Sequence, residues 1–410
     1  MLKKVKNYWV RTDHVMWCFC LASSIFACIV LASIGMNMNG GFVRDELTGA
    51  IIGIGGYRRA VVQAISLCLG SICAIIISHI DYHSLVEVWP IHVTLAWGLV
   101  LPTLIFKNKK LLGGLLTIGY DAGGTDNYSW YKIGGFTLQP TEIAKVSFIL
   151  TFAMHLSRVH DHINDPATLF KLLLHLGIPL LIIHKQGDDG TMLIFLAIGL
   201  CMLFAAGLSW KYIGGALAAV GSALAVAFAF FSDKIGKRYQ RLRILAVYDP
   251  ENLTGWALDE QMRNYYTYQQ ERGEISIGAG QIFGRGLFTG DYVYVPNAWN
   301  DFAFSWIANA VGFVGAAIVL VVLFGIVIRA LQVGVRSVDD LGTFICAGFS
   351  GAMLAQIFVN VGMNLRVLPV VGVTLPFYSA GGSSALMIYL CIGLVLSVYM
   401  HNKKTLFGTQ

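Results

Sequence analysis

The 410-residue chain is 56% hydrophobic and only 13% charged, a balance that leaves too little polar surface to keep a chain of this size in water. Its net charge of +6 is spread along the chain, with no basic tail or stripe, which excludes a nucleic-acid-binding protein. The composition is that of a membrane protein whose partners are lipids and other membrane proteins.

In chain order, Lys3, Lys4, Lys6 and Arg11 precede an apolar segment of roughly twenty residues, too long for the core of a cleaved signal peptide and close to bilayer thickness. It reads as a retained first span. Apolar runs long enough to cross the hydrocarbon recur near 14–34, 59–79, 86–106, 141–157, 168–184, 190–207, 211–231, 303–330, 341–363 and 382–400. They predict an all-α polytopic bundle, a single membrane domain over 1–410 with about ten transmembrane helices. An even count puts both termini on one side, and the basic N-terminus favours the inside. Against that rule, the outer loops carry Arg58, Arg59, Lys107, Lys109 and Lys110.

The eight cysteines lie within apolar runs without metal-site or redox spacing and read as small buried hydrophobes. The histidines of "SHIDYHS" (His79, His83) and "RVHDHIND" (His160, His162) read as solvated loop residues. In "FTLQPTEIAKV", Pro140 suits the first turn of a helix, Glu142 suits its positive end, and Lys145 follows on the same face. In "KQGDDGT", Asp188 and Asp189 sit in a tight turn where either caps the next helix.

Residues 232–301 form a large polar connection between the seventh and eighth spans, suited to short helices on the membrane surface, and its "GAGQIFGRG" reads as a flexible turn. At its end, "VPNAWNDFAF" places Asp301 at the mouth of a long apolar run, where helix capping and catalysis are equally good readings. Finally, "FVNVGMNLRVLPVVGVTLPFYSAGGSS" interrupts an apolar region with Asn360, Arg366, Pro369 and Pro376, and backbone that leaves the helix at this depth must line a cavity or be covered by protein.

Taken in order, these segments resemble the motifs of the SEDS (shape, elongation, division and sporulation) family, which is RodA-, FtsW- and SpoVE-like. "LQPTEIAKV" is similar to Q-P-S-E-x-A-K, "QGDDGT" to Q-P-D-L-G-T, and "VPNAWNDFAF" to L-P-x-x-x-[TN]-D-F-I-F. The last segment follows F-x-N-I-G-M-x-x-G-x-L-P-V-x-G-x-x-L-P-F-x-S-Y-G-G-S-S.

The resemblance implies a multi-pass enzyme of the bacterial cytoplasmic membrane, both termini cytoplasmic. It would polymerise lipid II into peptidoglycan strands beside a class B penicillin-binding transpeptidase. It also implies Asp301 as the catalytic base, taking the proton of the acceptor hydroxyl, with Trp130 and Asp188 placing substrate and supporting the cavity. Glu142, Lys145, Arg243, Arg366 and Ser383 complete the expected substrate-binding set.

The leaving pyrophosphate needs positive charge, from Lys237, Arg238, Arg241 or Arg243, or from a divalent cation, Mg or Mn, held by Asp188 and Asp301; no organic cofactor is implied. The chain departs from the pattern at Ser129 (for arginine), Gly187 and Asp189 (for Pro and Leu), Asn309 and Ala310 (for two glutamates), Arg366 (for glycine) and Ala380 (for tyrosine). Arg366 is expected to replace the arginine missing beside Trp130 and to hold a phosphate. Two other readings stand beside the enzyme: a flippase for lipid-linked precursors, and a non-catalytic scaffold for the transpeptidase.

Overall fold

The computed structural model describes residues 8–39, 43–44, 51–53, 55–121, 127–134, 136–212, 214–215, 247–248, 260–289 and 291–402. The apolar runs become helices, because backbone groups away from water must find their partners within the segment. They are α1 (His14–Asn39), α2 (Arg58–His79), α3 (Tyr82–Glu87), α4 (Trp89–Ile105), α5 (Pro140–Val159), α6 (Pro166–Lys185), α7 (Asp189–Ala205), α8 (Glu260–Ala279), α9 (Ala303–Val335), α10 (Asp340–Asn364) and α11 (Gly382–His401).

Each expected span except the seventh coincides with one of these helices. The seventh, 211–231, lies for most of its length outside the described residues, as do Lys237, Arg238, Arg241 and Arg243 and the first part of the large connection. Among the described residues, six helices are long and apolar enough to cross a membrane, and α4 and α7 are shorter apolar helices.

The centre is built on α10 and α11, whose apolar windows are each 72% buried. Small residues let them approach their neighbours. A Cβ on Gly351 of α10 would lie 2.9 Å from the Ala197 carbonyl oxygen of α7, and one on Gly393 of α11 would lie 2.9 Å from Ala74 Cα of α2. The opposite side of α2 exposes Ile65, Leu69, Ile72 and Ile76, a stripe at helical spacing that suits lipid.

Four features differ from the expectations. The fold is helical as expected, but a small amount of sheet is added to it. Besides a short pair, β1 (Val43–Arg44) with β2 (Ile51–Gly53), a four-stranded antiparallel sheet runs in order β3 (Lys109–Leu111), β4 (Leu116–Tyr120), β5 (Trp130–Ile133), β6 (Phe136–Leu138) between α4 and α5. Its apolar runs are too short to span, and glycine-rich turns divide them into hairpins.

Second, α8 is a 20-residue helix packed onto α9 and α10, with Thr267, Gln270 and Ser276 buried. Short surface helices do not describe it.

Third, "GAGQIFGRG" is docked. α9 breaks at Gly312 (φ 70°, ψ −173°), and residues 281–286 occupy the break. The amides of Arg285 and Gly286 donate to the carbonyls of Asn309 and Ala310 (both 2.9 Å), and those of Phe313 and Val314 donate to Gln281 and Ile282 (2.8 and 3.1 Å). This lies where the resembled motif carries two glutamates. Before the break, residues 303–310 are buried; beyond it Phe313, Ile318 and Val321 face outward.

Fourth, the loop histidines have partners, His79 at the Ile75 carbonyl (2.8 Å) and His162 at Asp165 (3.6 Å), and two of them join segments at the end of the bundle opposite Asp301. His83 bridges Asp81 (2.8 Å) and Asp339 (2.6 Å), and His160 lies 3.4 Å from Asp340. All eight cysteines are free, but Cys18 and Cys68 are exposed where burial was expected.

Candidate functional site

The starts of α5, α7, α9 and α11 and the last turn of α10 meet at one end of the bundle, held there by polar contacts between residues far apart in sequence.

Asp188 is the first hub. Its Oδ1 caps α7 by accepting from the Thr191 amide at 3.1 Å. Its Oδ2 accepts from Gln139 Nε2, just before α5, at 2.6 Å. The Ser129 hydroxyl lies beside it, next to Trp130, and the Tyr128 amide donates to the Gln186 carbonyl at 3.2 Å. β5 therefore delivers Trp130, half-buried, to the Asp188 turn. Burial pushes the Asp188 carboxyl above its usual range, opposed by hydrogen bonds from Thr191 and Ser129 and by the charge of Lys145.

Below this hub Lys145 pairs with Glu142 at 2.8 Å, both buried, and Glu142 Oε2 has no hydrogen-bond partner. These two residues form an enclosed ion pair. At Gly190 the α7 turn meets the connection between α10 and α11, where a Cβ would lie 2.5 Å from the Val371 carbonyl oxygen.

Asp301 is the second hub. The N-cap of α9 is Phe302, so Asp301 is not the capping residue. Its carbonyl accepts from Asn360 Nδ2 at 2.8 Å and from Asn364 Nδ2 at 2.9 Å. Asn360 also donates to the Val373 carbonyl (2.7 Å), and Asn364 Oδ1 accepts from the Ser305 amide (3.0 Å) and hydroxyl (2.6 Å). Both asparagines are buried, while Asp301 remains half-buried.

On the other side, the Ala380 amide donates to the Trp299 carbonyl at 2.6 Å and the Ser379 hydroxyl to the Asn300 carbonyl. Gln63 of α2 donates to the Phe377 carbonyl (2.9 Å) and accepts from the Gly381 amide (3.2 Å). The Asp301 carbonyl is thus held by α10, and the two residues before it by Ser379 and Ala380, which Gln63 braces in turn; the half-buried Ser383 lies in the first turn of α11 beside them.

Two placements bear on positive charge. Arg366 pairs with Glu271 (3.7 Å) and Glu274 (3.8 Å), one turn apart on α8. With two carboxylates beside it, it does not stand ready for a phosphate as expected. Arg59, absent from the expected set, is exposed and lies 3.8 Å from the Trp299 ring centroid, two residues before Asp301. Asn364, Gln139 and Gln63 were likewise not singled out. Their signal was polar side chains at membrane depth.

The surroundings of Asp188 do not fit a divalent cation shared with Asp301. Both its oxygens accept from amide donors, which stand where a metal would bind. Among the described residues no three His, Cys, Asp or Glu groups converge as a metal site.

The family model of the FtsW, RodA and SpoVE cell cycle proteins matches residues 46–404. The peptidoglycan glycosyltransferase MrdB of Escherichia coli K12 is 31% identical over 295 residues, 70% of this chain and 76% of that protein. A probable peptidoglycan glycosyltransferase FtsW of Geobacter sp. M18 is 30% identical over 342 residues, 82% of this chain and 85% of that protein. Among solved structures, a chain of a peptidoglycan synthase complex that coordinates polymerization and crosslinking superposes with a TM-score of 0.71 at 24% identity, covering 97% of this chain and 100% of that one. Thermus thermophilus RodA superposes with a TM-score of 0.61 at 21% identity, covering 97% and 99%. These two likenesses establish the fold, and the family match over most of the sequence establishes kinship: the chain belongs to the FtsW/RodA/SpoVE family of cell cycle proteins.

Proposed function

We propose that this chain is a peptidoglycan glycosyltransferase that polymerises lipid II, with Asp301 as its general base. The observation that carries the reading is the grip of Asn360 and Asn364 on the Asp301 carbonyl, which fixes the main chain from which the carboxylate projects. Such preorganisation is what a base needs to meet one substrate hydroxyl.

In the reaction, Asp301 takes the proton of the acceptor's sugar hydroxyl as that oxygen attacks the donor's anomeric carbon. The bond from that carbon to the pyrophosphate oxygen breaks, and the lipid pyrophosphate leaves with the electron pair. A single displacement of this kind inverts the anomeric centre and needs one base. Arg59, beside Trp299, is the described cation best placed to meet the leaving charge, a part assigned at first to residues 237–243. Asp188 holds Gln139, Thr191 and Ser129 together and so shapes the cavity wall next to Trp130.

The site end faces outward and both termini lie in the cytoplasm, where the basic N-terminal residues favour them. A class B penicillin-binding transpeptidase is the partner, by kinship with a chain found in a synthase complex.

The test is to supply lipid II to the purified chain, with and without that transpeptidase, and to resolve the products by length. Glycan strands from the chain, alone or with its partner, support the reading. A flippase would move lipid II across vesicles and leave it unpolymerised; a scaffold would bind the transpeptidase and do neither.

A further inference from the structure

Apart from Trp130 at the start of β5, the four-stranded sheet has no part in the reaction described above, and its residues are laid out in rows. Cross-strand pairing aligns Lys110, Thr117, Lys132 and Thr137 in one rung, and Leu111, Leu116, Ile133 and Phe136 in the next. Side chains of one rung share a face, and those of the adjacent rung point the other way. The Lys110 rung borders a cleft of about 320 Å³ that also takes in Asn108 and Tyr120. At this end of the sheet the apolar residues are exposed: Phe136 (66%) within the Leu111 rung, and Leu112 (76%) and Leu115 (59%) in the turn beyond it.

Charge is one-sided here. This connection carries four lysines, Lys107, Lys109, Lys110 and Lys132, against two carboxylates, Asp121 and Asp126. Three of these lysines lie over aromatic rings: Lys107 on Tyr128, Lys109 on Phe106 and Lys132 on Tyr120, at 4.3 to 4.9 Å. Such stacking holds the ammonium groups in place and leaves their outer hydrogens available. The sheet begins four residues after α4 ends at Ile105 and finishes two residues before α5 starts at Pro140, so it sits at the edge of the bilayer.

We propose that this sheet is a lipid-binding element. Its apolar tip enters the boundary between headgroups and acyl chains, and the cleft between Lys110 and Lys132 takes the phosphate of an anionic phospholipid. Apolar side chains flanked by lysines are the pattern of interfacial anchors, and each basic group near an anionic surface adds to the attraction. A soluble partner protein would explain the lysines but not an apolar tip at membrane level. The cleft is at the small end of ligand pockets, which fits a headgroup better than a disaccharide-peptide.

The experiment is hydrogen exchange of the full chain in nanodiscs of phosphatidylcholine alone and of phosphatidylcholine with phosphatidylglycerol. The readout is the amides of 109–120 and 130–138. With phosphatidylglycerol these amides should exchange at least threefold more slowly, and the Lys110→Gln/Lys132→Gln pair should return them to the rate in phosphatidylcholine. Both lysines are exposed, so the fold tolerates the change. Leu112→Ser should speed exchange in both lipids.

Equal rates in the two lipids, or protection that survives the double substitution, overturns the proposal. Protection reproduced by inorganic phosphate in detergent would mark a free-anion site. Protection that appears only with added lipid II would make the cleft a substrate subsite. Either of these also overturns it.

Discussion

Asn364→Leu removes an amide of similar size whose five contacts, the longest to Asn360 Oδ1 at 3.4 Å, are all buried or part-buried. Its Nδ2 donates to the carbonyls of Asp301 and Asn360, and its Oδ1 accepts from the Ser305 amide and hydroxyl. Asp301 keeps its second donor, Asn360, at 2.8 Å, and the Ser305 hydroxyl is free to rotate toward another acceptor. The Ser305 amide has neither recourse, and stranding one buried donor costs about 1–3 kcal/mol. With the lost hydrogen bonds the total is about 2–4 kcal/mol, enough to lower the thermal midpoint while the chain stays folded. Because the Asp301 carbonyl then keeps one of its two side-chain donors, turnover should fall by roughly tenfold to a hundredfold.

The assay is single-turnover polymerisation of lipid II together with thermal unfolding, with Ser350→Ala as control. Ser350 is equally buried on α10 and bonds only within its own helix, to the Cys346 carbonyl at 2.8 Å. The control should lose stability and keep turnover. A folded Asn364→Leu protein with wild-type turnover would refute the claim that the clamp positions Asp301.

Gly190→Ala should cost stability and turnover together, because its Cβ meets the Val371 carbonyl oxygen at 2.5 Å and must push the α10–α11 connection away; a steric cost of about 1–3 kcal/mol is expected in thermal unfolding. At Arg366, φ is 56°, a conformation that favours glycine by roughly 1 kcal/mol, while its exposed ion pairs return about as much. Arg366→Gly should therefore leave stability within about 1 kcal/mol of wild type, and Arg366→Ala should be less stable than Arg366→Gly; the reverse order in unfolding measurements would contradict this.

His83 gives a pH dependence. Burial lowers its pKa, but hydrogen bonds and charge from Asp81 and Asp339 outweigh burial and leave it raised above 6.5. A raised histidine stabilises most below its unfolded pKa, and that contribution disappears as pH rises through the folded value. His83→Gln should flatten this decline, which amounts to roughly 0.2–1 kcal/mol for so exposed a pair, in melts from pH 5.5 to 8.5.

The spans were legible because a bilayer imposes length and hydropathy on each segment separately. Asp301 was legible because its flanking "VPNAW" and "FAF" carry a family pattern. What the sequence did not display is who faces whom. Asn360 and Asn364 are one turn apart, so their shared face was readable, yet their target lies 59 and 63 residues upstream. The sheet was missed because its strands are three to five residues long and separated by glycine turns, below the length at which alternation is evident. "GAGQIFGRG" suggested freedom because glycine permits many conformations. Here that freedom lets backbone approach the break at Gly312 closely enough to pair with it. Arg366 was assigned to phosphate as a replacement for the arginine missing beside Trp130, and only the fold reveals Glu271 and Glu274 across from it.

The measurement that bears most directly on the central claim compares wild type with Asp301→Asn at saturating lipid II, reading glycan formation per enzyme and lipid II binding separately. Asparagine keeps the size and the clamped main chain but cannot take the proton. The account predicts a fall in turnover of at least about a hundredfold with binding little changed. Turnover within a few-fold of wild type would contradict it and move the base elsewhere in the site.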